Sequence, residues 1–97
     1  MALELGESYD TFESLTVSTS AVPLTAATYA RAEVAFITNE SNPCRFRLDG
    51  TNPTASVGHI LPTDAELILD SRDQISRARF IRSGASDATL RVSYGQV

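Results

Sequence analysis

From Glu33 to Tyr94 apolar and polar residues alternate in short runs, and the runs stop at clusters of Gly, Pro, Asn or Asp. Alternation with a period of two is the pattern of a strand that buries one face. Glu33 to Thr38 reads as a central strand. Val34 and Phe36 face one way and Ala35 and Ile37 the other, so both of its faces are expected to be covered. Asn39-Glu40-Ser41-Asn42-Pro43 is dense turn chemistry. Cys44 to Leu48 then returns with Cys44, Phe46 and Leu48 inward and Arg45, Arg47 and Asp49 outward. The two runs predict an antiparallel hairpin.

The same reading extends along the chain. Phe12 to Ser18 alternates loosely, with Leu15 and Val17 apolar, and predicts a strand. Ala21 to Thr25 predicts a second short strand that Pro23 confines to an edge. Ala26 to Ala32 is a connector of small residues with room for one helical turn. Asp49 to Gly58 is a long turn-rich loop of the kind that often carries a binding surface, although a plain solvent-exposed connection is the favoured reading. His59 to Leu61 predicts a strand closed by Pro62. Ala65, Leu67 and Leu69 alternate with Glu66, Ile68 and Asp70 in another. Arg72 to Ile75 suits a short helix. Arg77 to Ser83 predicts a strand that sends Phe80 into the core. Ala88 to Tyr94 predicts the last, with Leu90, Val92 and Tyr94 inward and Gly95 ending it. About seven or eight strands at this spacing predict an all-β fold, an antiparallel β-sandwich that is jelly-roll-like or a small barrel.

The alternation begins only after an acidic stretch. Glu4, Glu7, Asp10 and Glu13 fall in residues 1–13 with no basic residue among them, and that segment alone accounts for the net charge of −4. Residues 1–13 are therefore expected to form an N-terminal arm, and residues 14–97 the β-sandwich domain. The basic side is wholly arginine, as biased codon usage would produce. Arginine also suits interfaces, because its planar guanidinium is weakly hydrated and binds carboxylates bidentately. Arg72, Arg77, Arg79 and Arg82 lie within eleven residues and, with the acids of the arm, are the candidate protein-interaction residues. The plainer reading of the four arginines is a solvated face with ordinary carboxylate neighbours. The acidic balance argues against a nucleic-acid partner, since phosphate binding needs a basic footprint.

Candidate chemistry is sparse. A metal site wants several His, Cys or carboxylates at short spacing, and His59 and Cys44 are the only residues of their types. Asp64 with Glu66, and Asp70 with Asp73, lack the spacing of a calcium loop. No serine stands in a Gly-x-Ser-x-Gly elbow, and no Gly-rich loop leads into a phosphate-binding helix. Cys44 lies on the apolar side of its run and reads as an inert buried thiol. No catalytic residue, cofactor or metal is expected. No apolar run reaches the ~20 residues of a membrane span, and the acidic start lacks the features of a signal peptide. Synthesis in the cytosol is expected, with export only as part of a particle.

A resemblance carries the reading further. Arg47-Leu48-Asp49-Gly50-Thr51-Asn52-Pro53-Thr54, then Gly58-His59, then Leu67-Ile68-Leu69-Asp70-Ser71, and finally Ala88-Thr89-Leu90-Arg91-Val92-Ser93-Tyr94 are similar to a pattern in a family of small proteins of tailed bacteriophages. The likeness covers about residues 15–95. It implies a virion structural protein with a β-sandwich fold and no enzymatic role. The expectation is a capsid decoration or cement protein whose partners are the major capsid protein, copies of itself, or both, forming a homo-oligomer in the particle. Alternatives are a head–tail connector or tail-associated component, and a carbohydrate- or host-surface-binding module. The absence of Trp weighs against the last, because sugar sites usually stack on exposed aromatics.

Overall fold

The computed structural model describes residues 8–96. In chain order its elements are β1 (Ser8–Val17), β2 (Val22–Pro23), α1 (Ala26–Tyr29), β3 (Val34–Ser41), β4 (Cys44–Arg47), β5 (His59–Leu61), β6 (Glu66–Leu69), α2 (Arg72–Arg77), β7 (Arg79–Arg82) and β8 (Ala88–Gln96). The fold is all-β. Its strands form two four-stranded sheets, ordered β1-β8-β3-β6 and β2-β7-β4-β5, and every neighbouring pair is antiparallel. Here these are sheet A and sheet B.

The order follows one rule. β1 pairs with β8, β2 with β7, β3 with β6 and β4 with β5. The chain is thus a single antiparallel ribbon folded back on itself at the β4–β5 loop. The β3–β8 and β4–β7 pairings join segments of that ribbon side by side. Pro23 sits in an edge strand, as its missing N–H requires.

One buried cluster draws on both sheets. Val17, Ile37, Leu69, Leu90, Val92 and Tyr94 come from sheet A and Cys44, Leu61 and Phe80 from sheet B, with Ile75 from α2. Each large apolar side chain buried in this way contributes ~1.5–3 kcal/mol. α2 presents Ile75 because its ends are satisfied locally. The Ser71 hydroxyl accepts from Gln74 N at 3.1 Å, and the Gln74 side chain accepts from Asp70 N at 3.0 Å. Asp73 in the first turn and Arg77 in the last suit the helix dipole.

Four sequence expectations need correction. The first is the hairpin joining residues 33–38 to 44–48, which does not form: β3 lies in sheet A and β4 in sheet B. Asn42 takes a left-handed φ of 62° ahead of Pro43, and the chain turns out of one sheet into the other. Asn39, 1% exposed, fastens this corner. Its Nδ2 donates to Asn42 O at 2.8 Å and Leu61 O at 3.0 Å, and its Oδ1 accepts from Ser41 N at 3.2 Å. Second, the arm does not extend to residue 13, because β1 begins at Ser8 and pairs along β8. Third, Arg77 belongs to α2 rather than to the strand that follows. Fourth, β8 runs past Gly95 to Gln96.

Candidate interaction surface

Strand parity decides which arginines share a face. Side chains two apart on a strand point the same way, and those an odd number apart point oppositely. Arg79 and Arg82 are three apart on β7 and therefore face opposite sides of sheet B. Phe80, between them in parity with Arg82, is fully buried, so Arg79 is on the outer side. Its cross-strand partner there is Arg47. Arg45, two residues before Arg47 on β4, shares that side and pairs with Ile81 and Ile60. The outer side of sheet B therefore presents Arg45, Arg47 and Arg79 together.

Like charges directly opposite on a sheet repel, and local acceptors offset this. Arg47 makes a bidentate contact to Asp49, with Nε to Oδ1 at 3.1 Å and Nη2 to Oδ2 at 2.5 Å. The guanidinium, with help from Thr51 N–H, holds the Asp49 carboxyl below the usual carboxylate range. Among the described residues Arg79 donates to backbone carbonyls alone, Ser76 O at 3.0 Å and Ala78 O at 2.9 Å. Arg45 does the same, to Ala55 O at 3.0 Å and Gly58 O at 2.9 Å. Among the described residues, Arg47 is the one of these three cations with a carboxylate partner. Arginine guanidinium groups are bidentate donors suited to carboxylates.

The other sequence-selected arginines lie elsewhere. Arg72 donates to Arg31 O at 3.3 Å. Arg77 pairs with Asp73 along α2 at 3.1 Å, and Arg82 pairs with Asp87 at 2.7 Å. Of the four, Arg79 alone joins the arginine surface, while the stem of Arg77 runs past Gly50 at the start of the β4–β5 loop. The acids also divide. Glu4 and Glu7 lie outside the described residues. Asp10 is exposed at the β1 bulge, beside an open depression of about 330 Å³ that Arg31 and Gln96 also line. Glu13 is engaged within the fold. It accepts from Thr25 N at 3.1 Å, from Thr25 Oγ1 at 2.6 Å and from the buried Tyr94 hydroxyl.

The β4–β5 loop is held against β4 by the two Arg45 bonds. Pro53 is buried within it, and Gly58 has a φ of +140°, which side chains rarely adopt, in tight surroundings. An added Cβ would lie 3.1 Å from both Phe46 O and Pro53 Cβ. His59 packs against Phe46 with ring centroids 5.3 Å apart and the rings tilted by 39°. Arg47, Leu48, Asp49, Val57, Gly58 and His59 surround an open depression of about 650 Å³. Val57 and Ile60 are exposed beside it. The surface brings cationic and apolar groups together.

Among the described residues no three of His, Cys, Asp and Glu are placed to hold a metal ion together, and no helix is long and apolar enough to cross a membrane. Cys44 is buried, and burial pushes its thiol up to about 11, far from the thiolate that nucleophilic chemistry needs. No family model, curated protein or solved structure matches the chain.

Proposed function

We propose that this chain is a structural protein of a bacteriophage virion, a decoration or cement protein that binds the outer shell and bridges neighbouring coat subunits. The strand order carries the reading. The pairs β1·β8, β2·β7, β3·β6 and β4·β5, divided between two four-stranded antiparallel sheets, support a jelly-roll β-sandwich. That architecture serves viral capsid proteins, and also lectins and cupins. The sequence likeness over about residues 15–95 favours the virion among these.

Docking through the arginine surface of sheet B accounts for how so small a chain would bind. A standard interface takes only ~800 Å² from each partner, and arginine is favoured at its centre. Arg45, Arg47 and Arg79 would meet carboxylates of the coat, while Val57 and Ile60 supply apolar area beside them.

The test adds the purified protein to capsids of its source particle that lack it, and images the product by electron microscopy. Saturable binding at hundreds of copies, with a rise in the temperature at which the shell opens, is expected. A single ring of copies on the tail axis would instead make it a head–tail component. No binding, with shells equally stable with and without the protein, would remove the proposal.

A further inference from the structure

The outer face of sheet A has a pattern that the proposed shell-binding role does not use. Ala35, Ile37, Leu69, Leu90, Val92 and Tyr94 are buried in the core, so the residues alternating with them point away from it. The registers then align these outward residues in rows across all four strands. One row is Phe12, Ser93, Phe36 and Ile68, on β1, β8, β3 and β6. The adjacent row is Ser14, Arg91, Thr38 and Glu66. Phe12 is 59% exposed, and Phe36 and Ile68 are each partly exposed. Arg91 is held in place by Glu40, with Nε to Oε1 at 3.1 Å and Nη2 to Oε2 at 2.8 Å, and it donates to Ser14 Oγ. Glu66 is exposed and has no ion pair among the described residues.

We infer that this face pairs with the same face of a second copy of the chain. The two rows are self-complementary. A two-fold axis lying between the sheets and parallel to the strands lays β1 of one copy over β6 of the other, and β8 over β3. Rows then meet like rows. Phe12 covers Ile68 of the second copy, and Phe36 covers Ser93. In the polar row Glu66 of the second copy lands on Ser14, beside the Arg91 guanidinium that already bonds to Ser14. Each two-fold repeat closes the contact twice, as an isologous interface requires. The pairing leaves the arginine surface of sheet B open and does not rest on the virion reading.

The size of the face sets the expected strength. Four strands ~4.8 Å apart, read over the eight residues of β3 at ~3.4 Å each, span roughly 19 by 27 Å. That is somewhat below the ~800 Å² per partner of a standard interface, so dissociation in the micromolar range is expected. Sedimentation of the full chain from ~1 µM to ~1 mM should show a monomer–dimer equilibrium. Phe12→Arg, at a position already mostly in solvent, should weaken it at least tenfold while leaving the circular dichroism and melting temperature unchanged. Glu66→Gln should weaken it several-fold and reduce its dependence on salt. Amide shifts on dilution should concentrate in β1, β8, β3 and β6. A chain that stays monomeric throughout overturns the inference and leaves the face to a different partner. A dimer indifferent to both substitutions overturns it too, and places self-association on another surface.

Discussion

At the residue scale the most consequential group is Glu13, which ties β1 to the core. It receives the hydroxyl of fully buried Tyr94 and both the N–H and the hydroxyl of Thr25, the N-cap of α1. Glu13→Ala strands the Tyr94 hydroxyl without that acceptor, and an unsatisfied buried polar group costs ~1–3 kcal/mol. Urea unfolding should show a loss of that size, and Tyr94→Phe in the same background should recover part of it. The ionisable groups also bound the stable pH range. Glu40 is held low by Arg91, Asp49 by Arg47, and Asp87 by Ser18 and then Arg82. A carboxylate depressed in the fold adds stability above its unfolded value and loses it as pH falls through the folded one. Tyr94, raised by burial and then by Glu13, and Cys44, raised by burial, act oppositely. Their contribution is complete below their unfolded values and fades as pH climbs past them. The urea midpoint is therefore expected to be flat between about pH 5 and 8 and to fall on both sides. A midpoint still rising at pH 10 would contradict this. Cys44 should react with a thiol reagent at neutral pH only at the rate of unfolding.

Elements were legible in the sequence wherever the signal was local. Alternation found β3, β4, β6 and β8, Pro23 marked an edge, and Ser71-x-x-Gln74 could have fixed the start of α2 as a capping box. What escaped was pairing between distant segments. Nothing near Cys44 says that its strand leaves β3 for β7, because that choice rests on Asn42, Pro43 and the buried Asn39 together. The arginine surface escaped for the same reason, since Arg47 meets Arg79 only once β4 and β7 are adjacent. Their odd spacing on one strand, however, is enough to put Arg79 and Arg82 on opposite faces. Two substitutions probe the elements. Asn39→Ala removes three hydrogen bonds at the corner and leaves the Leu61 carbonyl buried without that donor, so a loss of ~2–3 kcal/mol is expected by urea unfolding. Gly58→Val forces a β-branched residue into a positive φ against Phe46 O and Pro53. It should loosen the β4–β5 loop, seen as faster amide exchange from Pro53 to His59, at a cost of ~1–3 kcal/mol.

The whole molecule presents two unlike outer faces. Sheet B is cationic through Arg45, Arg47 and Arg79, and sheet A combines an apolar row with a polar row that holds Arg91 and Glu66. Replacing Arg47 and Arg79 together by Glu should abolish shell binding and leave self-association intact. Phe12→Arg should do the reverse. If shell binding is electrostatic in this way, its affinity should fall steeply between low and physiological salt. Equal loss of both activities in either variant would mean that the faces are not independent.

The β1–β8 pairing sets Ser8 opposite Gln96, so the two ends of the described chain are next-door neighbours on adjacent strands of sheet A. A few glycines and serines joining them would turn the most distant pairing in the molecule into a local hairpin. New termini could then be opened in the β7–β8 connection, where nothing crowds Gly84. Such a circular permutant should keep the same registers yet fold sooner, since the closure that now waits for the entire chain would come first. Stopped-flow refolding of the two versions would measure the difference.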